Sequence, residues 1–241
     1  MSAGRLVALL LLAWLAPALP AAAAPGAPPP HLALDVDLDP ASRHLQVVAV
    51  LRPGERRFTF ALHESLRVTA AAADGRPLAI VAMGRQGDRR HWLLQLPAGS
   101  STLRVEYQGT LPALDVDLDH RQVLRRLPPM AGVAGSFLPA GSAWYPQPAE
   151  LFSYRVTLSV AGDQRALVAG RLVDEEIPAA TGDRYRASFE FSHPADGIDL
   201  MAGPWIVREK MVARSGAEPL RLRTYFTREL ERIAGLADRD R

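Results

Sequence analysis

The sequence predicts an all-β protein, an antiparallel β-sandwich with a short helix at its carboxyl end. Three observations lead there. Apolar and polar residues alternate in segment after segment, which is the period of strands with one face in a core. The segments are short and closely spaced, with Gly, Pro, Asp or Ser clusters between them. No long amphipathic helical period interrupts them before residue 227 of the 241.

The amino end is of a different kind. Met1-Ser2-Ala3-Gly4-Arg5 carries one positive charge, residues 6–19 are apolar, and residues 21–24 are alanines. That pattern predicts a secretory signal peptide over residues 1–24, because the apolar run is too short to span a bilayer comfortably. A retained anchor is the other reading it leaves. Residues 25–30, Pro-Gly-Ala-Pro-Pro-Pro, form a stiff spacer, so folding is expected from His31. Export to the periplasm or the extracellular space follows, with no transmembrane span once the signal is cleaved. There is no cysteine, so stability must come from the core and not from disulfides.

The first folded stretch, Leu-Asp-Val-Asp-Leu-Asp-Pro at residues 34–40, returns as Leu-Asp-Val-Asp-Leu-Asp-His at 114–120. Aspartates at every second position fit either a calcium loop or the wet face of a strand. A helix-loop-helix calcium site needs glycine at loop position 6 and glutamate at 12. The first copy offers Pro40 and Gln46 there, and the second His120 and Arg126, so both fail. Alternation remains: Leu32, Leu34, Val36 and Leu38 inward, Asp35, Asp37 and Asp39 outward, then a turn at Asp39-Pro40-Ala41-Ser42 and a return strand over 45–51. The second copy lies between Pro112 and Pro128-Pro129, which leaves strand and loop both open for it.

Strands are expected next over 58–62 and 66–70. Asp74-Gly75 then turns the chain into residues 77–81. Residues 91–96 and 102–107 read as a pair around Pro97-Ala98-Gly99-Ser100. Residues 109–148 are rich in Pro and Gly and are expected to pack as a structured loop. Strands resume over 152–160, 165–171, 185–191, 197–201, 205–212 and 220–226. Thr227 caps a helix with Glu229 in its first turn and Leu230, Ile233, Ala234 and Ala237 on one face. That stripe is short for a helix packed within its own domain. Residues 227–241 are therefore expected to open a truncated helical or catalytic domain, after a sandwich over 31–226.

The chemistry the sequence excludes is as informative. The 28 Lys and Arg residues nearly balance 26 Asp and Glu, and they are scattered without a basic stripe, which argues against a nucleic-acid surface. Arg89-Arg90-His91 and Arg125-Arg126 read as solvated runs, and Glu175-Glu176 as a solvated acidic turn. A zinc helix needs two histidines separated by three residues. None of His31, His44, His63, His91, His120 and His193 has such a partner. In His63-Glu64-Ser65-Leu66-Arg67 an arginine stands in the second position, within strand-like sequence. No nucleophile elbow, phosphate loop or thiol nucleophile is present.

Five segments, taken in order, resemble the amino-terminal domain of the aminopeptidase N family of zinc metallopeptidases: LALDVDLDPASRHLQVVAVL, FALHESLRVTAAAADGRPL, LRVEYQGTLP, FLPAGSAWYPQPAELFSYRVTLSV and ADGIDLMAGPWIV. The resemblance implies a saddle-like sandwich that precedes a catalytic domain carrying the zinc helix and a Gly-Ala-Met-Glu-Asn substrate loop. This sequence has no asparagine and so lacks that loop. In the family, one strand of this domain supplies a Gln or Glu for the substrate's amino group and, further on, an Arg. Alignment on Tyr145-Pro146 places Phe137 and Ser142 at those positions, and a phenyl ring cannot accept a hydrogen bond from an ammonium group. Phe137, Ser142, Trp144 and Tyr145 are the substrate-cleft candidates, although for Trp144, Tyr145 and Trp205 a place in the core is the favoured reading over a peptide-binding surface.

The expectation is a noncatalytic scaffold and cleft wall, with no catalytic residue, metal ligand or cofactor of its own. Zinc is expected only in a catalytic domain absent from this chain, and the partners are that domain and peptide. The alternative is a self-sufficient exported sandwich that binds peptide or glycan.

Overall fold

A computed structural model describes residues 31–115, 127–179 and 183–239. The signal peptide, the spacer, Arg125-Arg126 and most of the second aspartate copy lie outside the described residues. In chain order the strands are β1 (His31–Asp39), β2 (His44–Leu51), β3 (Arg57–His63), β4 (Leu66–Ala73), β5 (Arg76–Pro77), β6 (Ile80–Gln86), β7 (Arg89–Gln95) and β8 (Leu103–Thr110). After them come β9 (Met130–Gly132), β10 (Gly135–Leu138), a 3-10 turn (Ala140–Ser142), β11 (Phe152–Ala161), β12 (Arg165–Val168), β13 (Arg171–Glu176), β14 (Arg184–Ala195), β15 (Leu200–Gly203), β16 (Ile206–Arg214), β17 (Ala217–Phe226) and the helix α1 (Arg228–Arg239).

Four sheets result. One has eight strands in the order β13-β14-β11-β1-β2-β8-β4-β5; the others are β12-β15-β10-β9, β3-β7-β6 and the ribbon β16-β17. The alternation of β1 is realised in full. Leu32, Leu34, Val36 and Leu38 are buried opposite Leu51, Ala49, Val47 and Leu45 of β2, while Asp35 and Asp37 are exposed. These side chains share one buried cluster with Phe60, Leu62, Trp92 and Leu94 of the three-stranded sheet and with Leu138, Ala166, Val168 and Leu200 of the four-stranded one. The eight-stranded sheet thus forms one layer and the two smaller sheets the other, an all-β sandwich.

Several expectations change in detail. The large sheet is not wholly antiparallel, because β1 pairs with β11 in parallel. The chain reaches β11 by way of the opposite layer, and a connection that long imposes no hairpin sense. Strands β7 and β8 are not a pair. β7 lies between β3 and β6, whereas β8 lies between β2 and β4 in the other layer. Residues 96–102 therefore carry the chain from one sheet to the other.

The strand expected over 165–171 is two strands. β12 belongs to the four-stranded sheet and β13 to the eight-stranded one, and the switch falls at Gly170. Its φ of 124° suits only glycine, and a Cβ there would stand 2.6 Å from the Glu190 carbonyl oxygen. Within the segment 109–148 expected as a structured loop, the described residues 127–148 instead include β9, β10 and the 3-10 turn, and both strands join the four-stranded sheet.

Candidate functional site

The four candidate residues converge on one strap, residues 137–147, and most of them are inside. Phe137 lies on β10 between Met130 of β9 and Met201 of β15, half-buried. Ser142 closes the 3-10 turn, its hydroxyl donating to the Pro139 carbonyl at 2.7 Å, and is buried. Trp144 and Tyr145 have no exposed surface in this chain, with rings edge to face at 4.8 Å. Phe152 and Tyr154 continue the aromatic row at 6.3 and 6.2 Å spacings.

Hydrogen bonds tie the strap down at both sides. Trp144 Nε1 donates to the Ile198 carbonyl at 3.0 Å, and the Ile198 amide donates to the Tyr145 hydroxyl at 3.0 Å. The Ala140 amide donates to Asp199 Oδ1 at 2.7 Å, and Gln147 Nε2 to the Asp196 carbonyl at 2.6 Å. Between these anchors sits Gly197, where a Cβ would meet that of Ala140 at 2.4 Å. On the other side Arg89 Nη2 donates to the Gly141 carbonyl and the His63 amide to the Ala143 carbonyl. Ala143 takes a left-handed conformation, φ 57°, to present that carbonyl.

The chemistry of this strap is positional. Burial pushes the Tyr145 phenol well above its usual range and the Tyr154 phenol up to about 12, so both remain neutral donors and acceptors. His63 ends β3, buried, with its Nδ1 2.8 Å from Ser65 Oγ. Burial holds its pKa below the usual 6.5 against the pull of Asp88 and Glu64, so the ring is uncharged at neutral pH.

The zinc of the resembling family does not fit here. Glu64 and Ser65 form the turn by which the chain passes from β3 to β4, so His63 and Arg67 lie on strands of different sheets. Among the described residues no three His, Asp or Glu side chains gather to hold a metal ion.

The structure also places a polar cluster that the sequence did not reveal. Glu175, expected in a solvated turn, is on β13 and largely buried. Arg223 of β17 grips its carboxylate at 2.9 and 3.0 Å, and the Tyr185 hydroxyl donates to it at 2.6 Å. Arg223 Nε is 2.7 Å from Glu209 Oε1, and its guanidinium lies 5.5 Å from the Tyr225 ring centre. Arg89 and His91, read as part of a solvated run, are half-buried on β7. Nothing local could have shown the Glu175–Arg223 pair, since the partners are 48 residues apart. A polar concavity of about 560 Å3 opens on the outer face of the large sheet, among His44, Ser65, Arg67, Gln108 and Thr110.

No protein-family model matches the sequence, and no curated protein does. Solved structures do. The M1 zinc metallopeptidase of Deinococcus radiodurans bound to a Tyr-Ser-Ala substrate is 20% identical, with a TM-score of 0.59 over 80% of this chain and 46% of its own. A two-domain M1 zinc metallopeptidase bound to L-tryptophan gives 0.57 at 20% identity, over 82% of this chain and 48% of its own. Legionella pneumophila aminopeptidase A in complex with aspartic acid gives 0.57 at 14% identity, over 81% and 23%. The chain therefore shares its fold with part of the M1 metallopeptidases, and it spans half or less of the length of each.

Proposed function

We propose that this chain is the noncatalytic amino-terminal domain of an exported aminopeptidase-like zinc metallopeptidase, serving as scaffold and one wall of the substrate cleft. The observation that carries the reading is the fold likeness together with its extent: the sandwich matches just under half of a metallopeptidase that has two domains. The strap geometry supports a structural role. Its aromatics are buried and its polar groups are spent on the 196–199 backbone, on Asp199 and on the β3 and β7 ends. Zinc, the catalytic base and amine recognition then belong to the second domain, and Phe137, half-buried on β10, is the cleft candidate that retains some exposure. Export rests on the signal-like residues 1–24.

The test is direct. The purified chain should retain no stoichiometric zinc and hydrolyse no aminoacyl-anilide substrate. Turnover that a chelator abolishes, in a preparation free of other peptidases, would overturn the reading.

A further inference from the structure

Strand β6 is an edge of the three-stranded sheet, and its ladder with β7 is interrupted. The register passes from Ala82 opposite Trp92 to Gly84 opposite His91, so Met83 is an extra residue, bulged out of the ladder and 50% exposed. Gly84 follows with a φ of 124°, and a Cβ there would meet nothing within 4 Å. A cavity of about 330 Å3 opens at this bulge, lined by Thr59, Met83, Arg85, Gln86, His91 and Trp92. That volume is at the lower end of the range for small-molecule sites.

Two nitrogens of the lining residues lack a partner. Trp92 Nε1 and His91 Nε2 are both buried, and neither makes a hydrogen bond to any described residue. Trp92 as a whole is only 7% exposed. A buried indole N–H ordinarily finds an acceptor, and leaving it without one forfeits its hydration for nothing. An unbound ligand is one of the few reasons for such an orphan in a native fold, and here the orphans belong to the walls of a cavity. The charged side chains nearby favour an anion. Arg85, Arg89 and Arg90 stand against Glu64 and Asp88, Arg85 meets Glu64 at 2.5 Å, and the Arg90 guanidinium lies 6.0 Å from the Trp92 ring centre.

We infer that the cavity at the β6 bulge binds a small aromatic carboxylate, its ring against Met83 and the edge of the Trp92 indole, its carboxylate accepting hydrogen bonds from Trp92 Nε1 and His91 Nε2. The apolar walls select the ring, and the two orphan nitrogens with the surplus of arginine select the carboxylate. His91 serves as donor in the tautomer that carries its proton on Nε2. Entry displaces the side chains of Met83 and Gln86, which are exposed and free to move. The site lies wholly within this chain and does not rest on the proposed function.

The indole N–H resonances of the nitrogen-15-labelled 241-residue chain report on the site directly, and the one that Trp92→Phe removes is that of Trp92. Phenylacetate is the probe, with acetate and phenylacetamide as controls that lack the ring or the charge. The Trp92 resonance should move saturably with phenylacetate, with a Kd on the order of 1 mM, while those of the bonded Trp144 and of Trp205 stay in place. Both controls should bind about tenfold more weakly or worse. Met83→Asp changes an exposed side chain, so the variant should fold, which circular dichroism checks. Its new carboxylate should raise the Kd for phenylacetate on the order of tenfold.

A Trp92 resonance that stays in place at phenylacetate concentrations well above that Kd would overturn the inference, as would equal affinity in Met83→Asp. Phenylacetamide binding as tightly as phenylacetate would overturn the assignment of a carboxylate. Binding by the 241-residue chain that is lost in a zinc-containing, active product of the intact gene would overturn it in favour of the second domain as the occupant, and would leave the proposed function standing.

Discussion

Val36 and Asp37 are neighbours on β1 that face opposite ways, and between them they test the reading of the aspartate repeat. Val36 has no exposed surface and stands opposite Val47 and beside Leu158. Asp37 is largely exposed, and its contact is Arg184 Nη2 at 2.8 Å, a pairing in solvent. Val36→Asp places an unpaired carboxylate in the core and should cost about 4 kcal/mol or more. Asp37→Ser loses an exposed ion pair and should cost about 1 kcal/mol or less. Urea denaturation of both variants measures the difference, and equal costs would refute the assigned alternation. Period-two burial is a local property, which is why β1 was legible from its own residues. The environment of Glu175 was not, since Tyr185 and Arg223 reach it from strands paired only in the folded chain.

At the scale of elements, the positions of strands were legible and their partners were less so. Residues 91–96 and 102–107 both alternate, and the Pro-Ala-Gly-Ser between them is good turn chemistry, yet the chain uses it to change layers. Hairpin rules assign a strand to its sequence neighbour. Here Trp92 and Leu94 pair instead with Phe60 and Phe58 across β3, while Val105 and Tyr107 pair with Ala49 and Val47 across β2. The same behaviour divides β12 from β13 at Gly170. Gly170→Val should destabilise by about 1–3 kcal/mol, because the residue must adopt a positive φ and its side chain collides with the Glu190 carbonyl. Thermal unfolding reads this, and a neutral substitution would mean that the switch does not depend on that backbone conformation. The four cleft candidates belong to this scale as well. Sequence order placed them on one strap, but only the bonds to Ile198, Asp199 and the ends of β3 and β7 show how tightly that strap is held.

At the scale of the molecule, the sandwich buries its core between layers, the strap is bonded to the 196–199 backbone, and the ribbon is joined to the edge of the large sheet through Arg223 and Glu175. Fold class was readable because strand period and turn chemistry pervade the chain, and the resemblance in segment order agreed with the fold shared with M1 metallopeptidases. The attachment of the ribbon was hidden, since Arg223 of β17 meets a carboxylate that β13 supplies from 48 residues away. The central claim is that peptidase chemistry lies in a second domain carried by this one. The most direct measurement is zinc content, with chelator-sensitive aminoacyl-anilide turnover, for the product of the intact gene beside the 241-residue chain. The account predicts stoichiometric zinc and turnover in the former and neither in the latter; a zinc-free, inert intact product would contradict it.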